Sequence, residues 1–242
     1  MKEIRYFYAP NAKDTNELPE AEAAHAFKVL RLKPGDKIFL VDGCGGLHEA
    51  ELTIATNKRC LYKINHSENV SKTWNGHIHL AIAPTKMMDR MEWMAEKATE
   101  IGFDELTFLD CCFSERKTIK TERVERVVCS AIKQSHKTWM PKINGMTRLE
   151  TFLNYTYDNP RFIAHCYEEI PSVDLFDEIN KEPASSKGAT LLIGPEGDFS
   201  IDEVKLAISK GFKPVSLGKS RLRTETAGLY AVMMAQIVLR NK

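Results

Sequence analysis

Two short segments carry the residue types and spacings on which chemistry could rest. The first is Leu191-Leu-Ile-Gly-Pro-Glu-Gly-Asp-Phe-Ser200. Ser200 and Glu203 have the spacing of a capping box, and Phe199 with Val204 that of a hydrophobic staple, so a helix begins here. Gly194–Asp198 is then a tight loop between a buried strand and a helix N-terminus. Its glycines would let a ligand approach the backbone closely, although a turn that merely needs Gly and Pro explains the same residues. The second is Leu217-Gly-Lys-Ser-Arg-Leu-Arg-Thr-Glu-Thr-Ala227. Lys219, Arg221 and Arg223 lead directly into a final helix, and Glu225 in its first turn suits the helix dipole. Solvated surface charge is the competing account of these cations. Both segments follow predicted strands, and open α/β sheets bind ligands beyond the carboxyl ends of their strands.

Several chemistries are excluded by spacing. Gly218-Lys-Ser220 has the end of a P-loop, but a P-loop needs glycine at 213, where this chain has Lys213. No G-x-G-x-x-G is present, so the usual dinucleotide loop is missing, and no G-x-S-x-G supplies a hydrolase serine. His25, His48, His66, His77, His79, His136 and His165 show no H-x-x-x-H or H-E-x-x-H spacing, and no metal is expected. A third feature is basic. Residues 116–142 hold eight Lys/Arg against two acids, a local +6 in a chain of net +1. With Trp139 close by, this suits a phosphate backbone and a stacked base. A solvated helix face explains the same charges.

The elements that must position these loops follow from periodicity. The chain has 242 residues, 28% charged and 43% hydrophobic, ordinary for a globular protein. No apolar run approaches the ~20 residues of a bilayer span. Met1-Lys-Glu-Ile-Arg5 lacks the apolar core of a signal peptide, which predicts a cytoplasmic protein. The six cysteines contain no C-x-x-C and read as reduced thiols. Residues 1–70 read as a small β-barrel domain: strands at Arg5–Tyr8, Lys37–Val41, Leu47–Ala55 and Cys60–His66, with one helix at Pro19–Leu30. The polar stretch containing 71–76 is the predicted linker. From 77 to 242 strands and helices alternate: strands at His77–Ala83, Glu105–Leu109, Arg161–His165, Ala189–Ile193 and Lys213–Leu217, helices at Lys86–Ile101, Thr121–His136, Ser200–Lys210 and Thr224–Leu239. That rhythm predicts an α/β domain with a mostly parallel sheet.

Gly194-Pro-Glu-Gly197 followed by Leu217-Gly and Leu222-Arg-Thr-Glu-Thr-Ala227 closely resembles the RsmE family. Members of that family are S-adenosylmethionine-dependent methyltransferases acting on N3 of a uridine of 16S ribosomal RNA, position 1498 in standard rRNA numbering. The resemblance covers nearly the whole chain. His25…Lys28-Val-Leu-Arg-Leu-Lys-Pro-Gly-Asp36 is similar to the family's PUA-like RNA-binding domain. Glu96-Lys-Ala-Thr-Glu-Ile-Gly102, Ser114-Glu-Arg-Lys117 and Gln134-Ser135 match shorter signatures. Asp198 stands where the family commonly has a second glycine, and Lys133-Gln-Ser-His-Lys137 where it commonly reads Glu-Gln-Ser-Gly-Arg.

The resemblance implies a SPOUT methyltransferase domain with a C-terminal trefoil knot, preceded by a PUA-like barrel, working as a homodimer on small-subunit rRNA. It implies that His165, Gly194, Pro195, Glu196, Gly197, Leu217, Gly218, Leu222 and Thr224 hold S-adenosylmethionine. Arg223 is the first candidate for stabilising the uracil anion, with Glu225 or Glu196 accepting a proton or orienting that arginine. Arg31, Arg116, Lys117, Arg123 and Lys137 are the candidates for RNA contact. The last predicted helix, with Tyr230, Met233, Met234 and Ile237, is apolar enough for core, interface or both. A non-catalytic RNA-binding protein on the same fold, or a knotted methyltransferase for another RNA, are the alternatives.

Overall fold

The computed structural model describes residues 5–155, 158–183 and 185–242. They form two compact units. The first contains the residues up to Lys72 together with Cys129–Met140, and the second contains Thr73–Val128 and Pro141–Lys242.

In the first unit, strands β1 (Arg5–Tyr8), β2 (Lys37–Val41), β3 (Gly46–Ala55) and β4 (Cys60–Asn69) form one sheet in that order. β1 runs parallel to β2, and the other pairs are antiparallel. Alternation puts Ile38, Leu40, Ala50, Leu52, Cys60 and Tyr62 on the buried face, where they meet Phe7, Ala23 and Ala26. The predicted helix at Pro19–Leu30 is two pieces: α1 (Glu20–Ala24) passes into a π-helical turn at His25–Val29. Strand β4 extends past His66 because His48, Leu47 and Gly46 pair with Ser67, Glu68 and Asn69. Backbone pairing, not side-chain pattern, holds that polar end.

The second unit is built on a seven-stranded parallel sheet. Its order is β7 (Lys142–Arg148), β6 (Glu105–Asp110), β5 (His77–Ile82), β10 (Gly188–Ile193), β8 (Arg161–Ala164), β11 (Lys213–Ser216), β9 (Val173–Asp174). β10 is buried at all six positions, as a central parallel strand covered on both faces must be. Helices α2 (Met88–Ile101), α3 (Thr121–Gln134), α4 (Leu149–Leu153), α5 (Leu175–Lys181), α6 (Ile201–Ser209) and α7 (Thr224–Leu239) complete the described elements. Helix α3 straddles the unit boundary, its last residues grouping with the first unit.

Close packing explains one glycine. A Cβ on Gly228 would lie 2.7 Å from Ile82 Cδ1, so glycine lets α7 settle onto β5. Strands β7 and β9 and helices α4 and α5 were not foreseen. β7 is an edge strand of mixed exposure, and β9 has two residues, so neither offers a clean alternation. Helices α4 and α5 are too short for a helical period to stand out, although Asp174 caps α5 by accepting from the Phe176 and Asp177 amides.

Candidate active site

Register decides where the loops meet. Ile193 at the end of β10 lies opposite Ile82 of β5 and Ala164 of β8, and Val215 of β11 also lies opposite Ala164. The segments beginning at Ala83, His165, Gly194 and Leu217 therefore leave the sheet at one edge, the carboxyl edge. A hydrogen bond from the Ala83 amide to the Ile193 carbonyl, 3.0 Å, continues the ladder past the strands.

The Gly194 loop is a tight turn in which the Asp198 amide donates to the Pro195 carbonyl at 2.9 Å. A side chain at Gly194 would collide with the Phe199 amide, 2.9 Å from its Cβ position. Asp198 adopts a left-handed φ of 68°. This conformation costs a non-glycine residue roughly 1–2 kcal/mol, and the aspartate offsets it with two hydrogen bonds. Its Oδ2 accepts from the Cys166 amide at 2.8 Å, and its Oδ1 from the Phe199 amide at 2.7 Å. Tyr167 adds a bond from its hydroxyl to the Phe199 carbonyl, 2.7 Å. The loop after β8 and the Gly194 loop are thus clamped together. The turn feeds α6, whose capping box between Ser200 and Glu203 forms as predicted. Phe199 and Val204, the expected staple, are both buried in one cluster.

His165 is buried between these loops. Its Nδ1 accepts from the Tyr167 amide at 3.2 Å, and its Nε2 is buried without a hydrogen-bond partner among the described residues. Burial holds the ring's pKa below the ordinary histidine value, against the opposing pull of Asp198 and Glu169. A neutral ring whose Nδ1 accepts carries its proton on Nε2, so a donor points at nothing yet supplied. Gly218, at φ 95°, has open space where a Cβ would stand, and its amide is held by Ser216 Oγ at 3.1 Å.

Arg223 is the N-cap of α7 and is exposed. Its guanidinium makes no ion pair or hydrogen bond with a described residue. Thr224 and Glu225 follow in the first turn, both buried. Glu225 Oε1 lies 3.8 Å from Arg90 Nε, and its Oε2 is buried without a hydrogen-bond partner among the described residues. Glu196 differs: it is exposed, and its Oε1 accepts from the Lys86 amide at 3.0 Å, tying the Gly194 loop to the segment after β5. Leu217 and Leu222 are half-buried.

The candidate RNA contacts are divided between the two units. Arg31 and Lys137 belong to the first unit, Arg116, Lys117 and Arg123 to the second. Arg116 donates to the carbonyls of Thr85 and Lys86, at 3.2 and 2.5 Å. Lys117 pairs with Asp110 at 2.6 Å, and Arg123 with Glu92 at 2.6 Å and Asp89 at 3.3 Å. Of the remaining basic stretch, Lys133 pairs with Glu22 at 2.5 Å and Lys142 with Glu105 at 3.2 Å. Four of the eight cations, Lys117, Arg123, Lys133 and Lys142, are therefore paired with acids outside the stretch. A cavity of about 380 Å³ beside Lys117 and Arg148 has Asp110, Glu150, Asp202 and Glu203 in its wall, a poor lining for a phosphate. Lys137 is half-buried, and burial pushes its ammonium pKa down. Trp139 donates from Nε1 to the Val70 carbonyl at 2.8 Å, with the Lys72 ammonium 4.9 Å from its ring centre. It is a packed residue of the first unit. His136, the other departure from the family pattern, also takes a left-handed φ, 56°, and stacks on Tyr6 with ring centres 4.1 Å apart.

Sequence reasoning missed the Asp198 clamp. Its only signal was an aspartate beside Gly197, a residue type that tolerates left-handed backbone.

Comparison with known proteins bears on this arrangement. Residues 72–236 match the model of an RNA methyltransferase domain, and residues 18–65 that of an RNA methyltransferase PUA domain. The chain is 30% identical over 235 residues to a ribosomal RNA small subunit methyltransferase E of Synechocystis, covering 94% of this chain and 74% of that one. A crystal structure of a probable rRNA methyltransferase from Porphyromonas gingivalis superposes with a TM-score of 0.86 at 40% identity, covering 98% of each chain. A ribosomal RNA small subunit methyltransferase E from Neisseria gonorrhoeae, bound to S-adenosyl methionine, gives 0.82 at 27% identity, again covering 98% of each.

Proposed function

Because this chain belongs to the ribosomal RNA small subunit methyltransferase E family, we propose that it transfers a methyl group from S-adenosylmethionine to N3 of one uridine in 16S rRNA. The observation that carries this reading is the shared strand register. It hangs His165, Gly194–Gly197 and Leu217–Thr224 from one sheet edge, where His165 also offers an unpartnered, buried Nε2.

The residues at this edge fit the cofactor. His165 Nε2 offers a donor, Gly218 leaves open space, and the backbone of Gly194–Gly197 and Leu217–Leu222 is available for the adenosine part. When bound, S-adenosylmethionine supplies a methyl group on an electrophilic sulfonium. The chain's own residues must then make a poor nucleophile competent. Neutral uracil holds a proton on N3, and loss of that proton spreads charge to O2 and O4. Arg223, exposed at the entrance of α7 with no ion pair among the described residues, is the group we assign to stabilise that anion. Between the two acids, Glu225 is the better proton acceptor, because one of its oxygens is buried with no hydrogen-bond partner among the described residues while Glu196 holds the Lys86 amide. The uridine must leave its stack to reach these groups.

Three further features belong to this reading. The insertion of β10 between β5 and β8, and of β11 between β8 and β9, supports a C-terminal trefoil knot. Tyr230 and Met233, exposed on α7, support pairing with a second copy. The proposed place of action is the cytoplasm, with the rRNA substrate. No helix among the described residues is long and apolar enough to cross a membrane.

The test is methyl transfer from labelled S-adenosylmethionine to small ribosomal subunits from a strain lacking this gene, mapped by reverse transcription. N3 methylation blocks the Watson–Crick edge, so label with a single stop at one uridine of 16S rRNA is the expected result. Cofactor binding without label on any ribosomal particle would reassign the enzyme to another RNA. Absence of cofactor binding would favour a non-catalytic RNA-binding protein.

A further inference from the structure

At the opposite, amino edge of the same sheet, three donors converge. Side chains two apart on a strand share a face, so His77 and His79 of β5 point the same way. Glu105, the first residue of β6, is the register partner of His79. One ligand atom from each of the three lies within 4.8 Å of the others. His77 Nε2 is 3.0 Å, and His79 Nδ1 3.8 Å, from Glu105 Oε2. A tetrahedral zinc ion with bonds of about 2.0–2.1 Å spaces its donors by about 3.3 Å. The observed separations bracket that value.

We infer that His77, His79 and Glu105 form a binding site for a divalent transition-metal ion of the zinc type, with a water in the fourth position. It is independent of the methyl-transfer site. His77-x-His79 is a strand spacing, distinct from the helical spacings of H-x-x-x-H and H-E-x-x-H.

The surroundings are organised as an outer shell. His79 Nε2 lies 2.8 Å from Thr107 Oγ1, which orients the ring and directs Nδ1 toward the acid. Asn144 Nδ2 donates to Thr107 Oγ1 at 2.8 Å and to Glu105 Oε1 at 2.7 Å, fixing the carboxylate so that Oε2 faces the imidazoles. Phe152 packs edge-on against His79, 5.3 Å between ring centres. Lys142 is an opposing charge, and it sits on Oε1 at 3.2 Å, while the imidazoles face Oε2. His77 is half-buried and the most accessible of the three, so the site is open to an ion from solvent.

The test uses the full chain stripped with a chelator and titrated with Zn²⁺ or Co²⁺ by calorimetry and absorption. One equivalent of Co²⁺ should give the visible bands of a tetrahedral site lacking sulfur ligands, and Zn²⁺ should raise the melting temperature. His77→Ala and His79→Ala should each abolish both signals. Thr107→Val should weaken binding by roughly 10- to 100-fold, the range for outer-shell partners. Lys142→Ala should tighten it, a gain that misfolding cannot mimic. No stoichiometric binding, binding retained in His77→Ala, or a thiolate-to-cobalt charge-transfer band showing capture by cysteine would overturn the site.

Discussion

At the amino edge of the second unit's sheet, polar side chains face one another. Asp104 accepts from Trp74 Nε1 at 2.9 Å and from the Ile78 amide at 2.7 Å. Asn159 accepts from Thr190 and donates to the His77 carbonyl, and Glu105 is held by Asn144, Lys142 and His77. At the carboxyl edge the pattern reverses. Asp198 ties the loops together, but His165 Nε2 and Glu225 Oε2 are buried without partners, and Arg223 has no counter-ion among the described residues. Buried polar groups are ordinarily satisfied. The open groups of the carboxyl edge suit an organic ligand that supplies their hydrogen bonds, whereas the pairing at the amino edge holds its polar side chains in fixed positions.

The sharpest way to break this contrast is Arg223→Ala. Removing a donor used only on the developing anion should lower turnover about 100- to 1,000-fold while leaving the S-adenosylmethionine Kd within a few-fold. Single-turnover kinetics beside calorimetry checks it, and equal losses in both would make Arg223 a cofactor ligand. At the other edge, Asp104→Ala should destabilise the protein by about 3 kcal/mol, since two buried donors lose a charged acceptor. Urea unfolding measures this, and activity per folded molecule should stay unchanged. A fall in activity without a fall in stability would erase the division between the edges.

A smaller effect tests the clamp. Asp198→Gly retains the left-handed backbone but frees the Cys166 and Phe199 amides, so cofactor affinity should fall about 10-fold, the equivalent of one net hydrogen bond. Asp198→Ala should lose a further ~1 kcal/mol of stability to backbone strain. If both variants bind as well as the parent, the clamp is not what shapes the loops.

The smallest effect lies in the first unit. His48 is fully buried, its Nδ1 2.8 Å from Ser67 Oγ and its Nε2 3.8 Å from Asp42 Oδ2, and burial depresses its pKa despite that carboxylate. The unfolded chain therefore takes up its proton first. Stability should be level above about pH 6.5 and should fall as pH drops through that value, by less than about 1.4 kcal/mol per pH unit. Denaturant midpoints between pH 7 and 5 would show this slope. A His48→Gln variant with the same slope would assign it elsewhere.

Much of the carboxyl edge was legible in the residues. Ser200 and Glu203 announce a helix start, and Gly194-Pro-Glu-Gly197 announces a turn, because both depend on contacts within a few residues. The run at Ala189–Ile193 reads as a buried strand because covered parallel strands are apolar throughout. The ion pairs of the basic stretch were not legible. Lys117, Arg123, Lys133 and Lys142 read as a cationic surface until Asp110, Glu92, Glu22 and Glu105 are found beside them. Edge strand β7 was missed for a related reason: its pattern is set by one neighbour and solvent, not by a core.

By itself the sequence determined the local geometry of this protein: the glycine turns, the helix caps, the alternation of strand and helix, and the motif residues gathered around two loops. Those follow from backbone sterics and from hydrogen bonds that close within one or two turns of chain. Only the tertiary structure decided which of these groups share a space. Strand register brings Ala164, Ile193 and Val215 to one level and leaves His165 Nε2 open, and the same register sets His79 against Glu105 at the other edge. Contacts between residues 26 to 110 positions apart depend on which strand lies beside which, and no local preference carries that information.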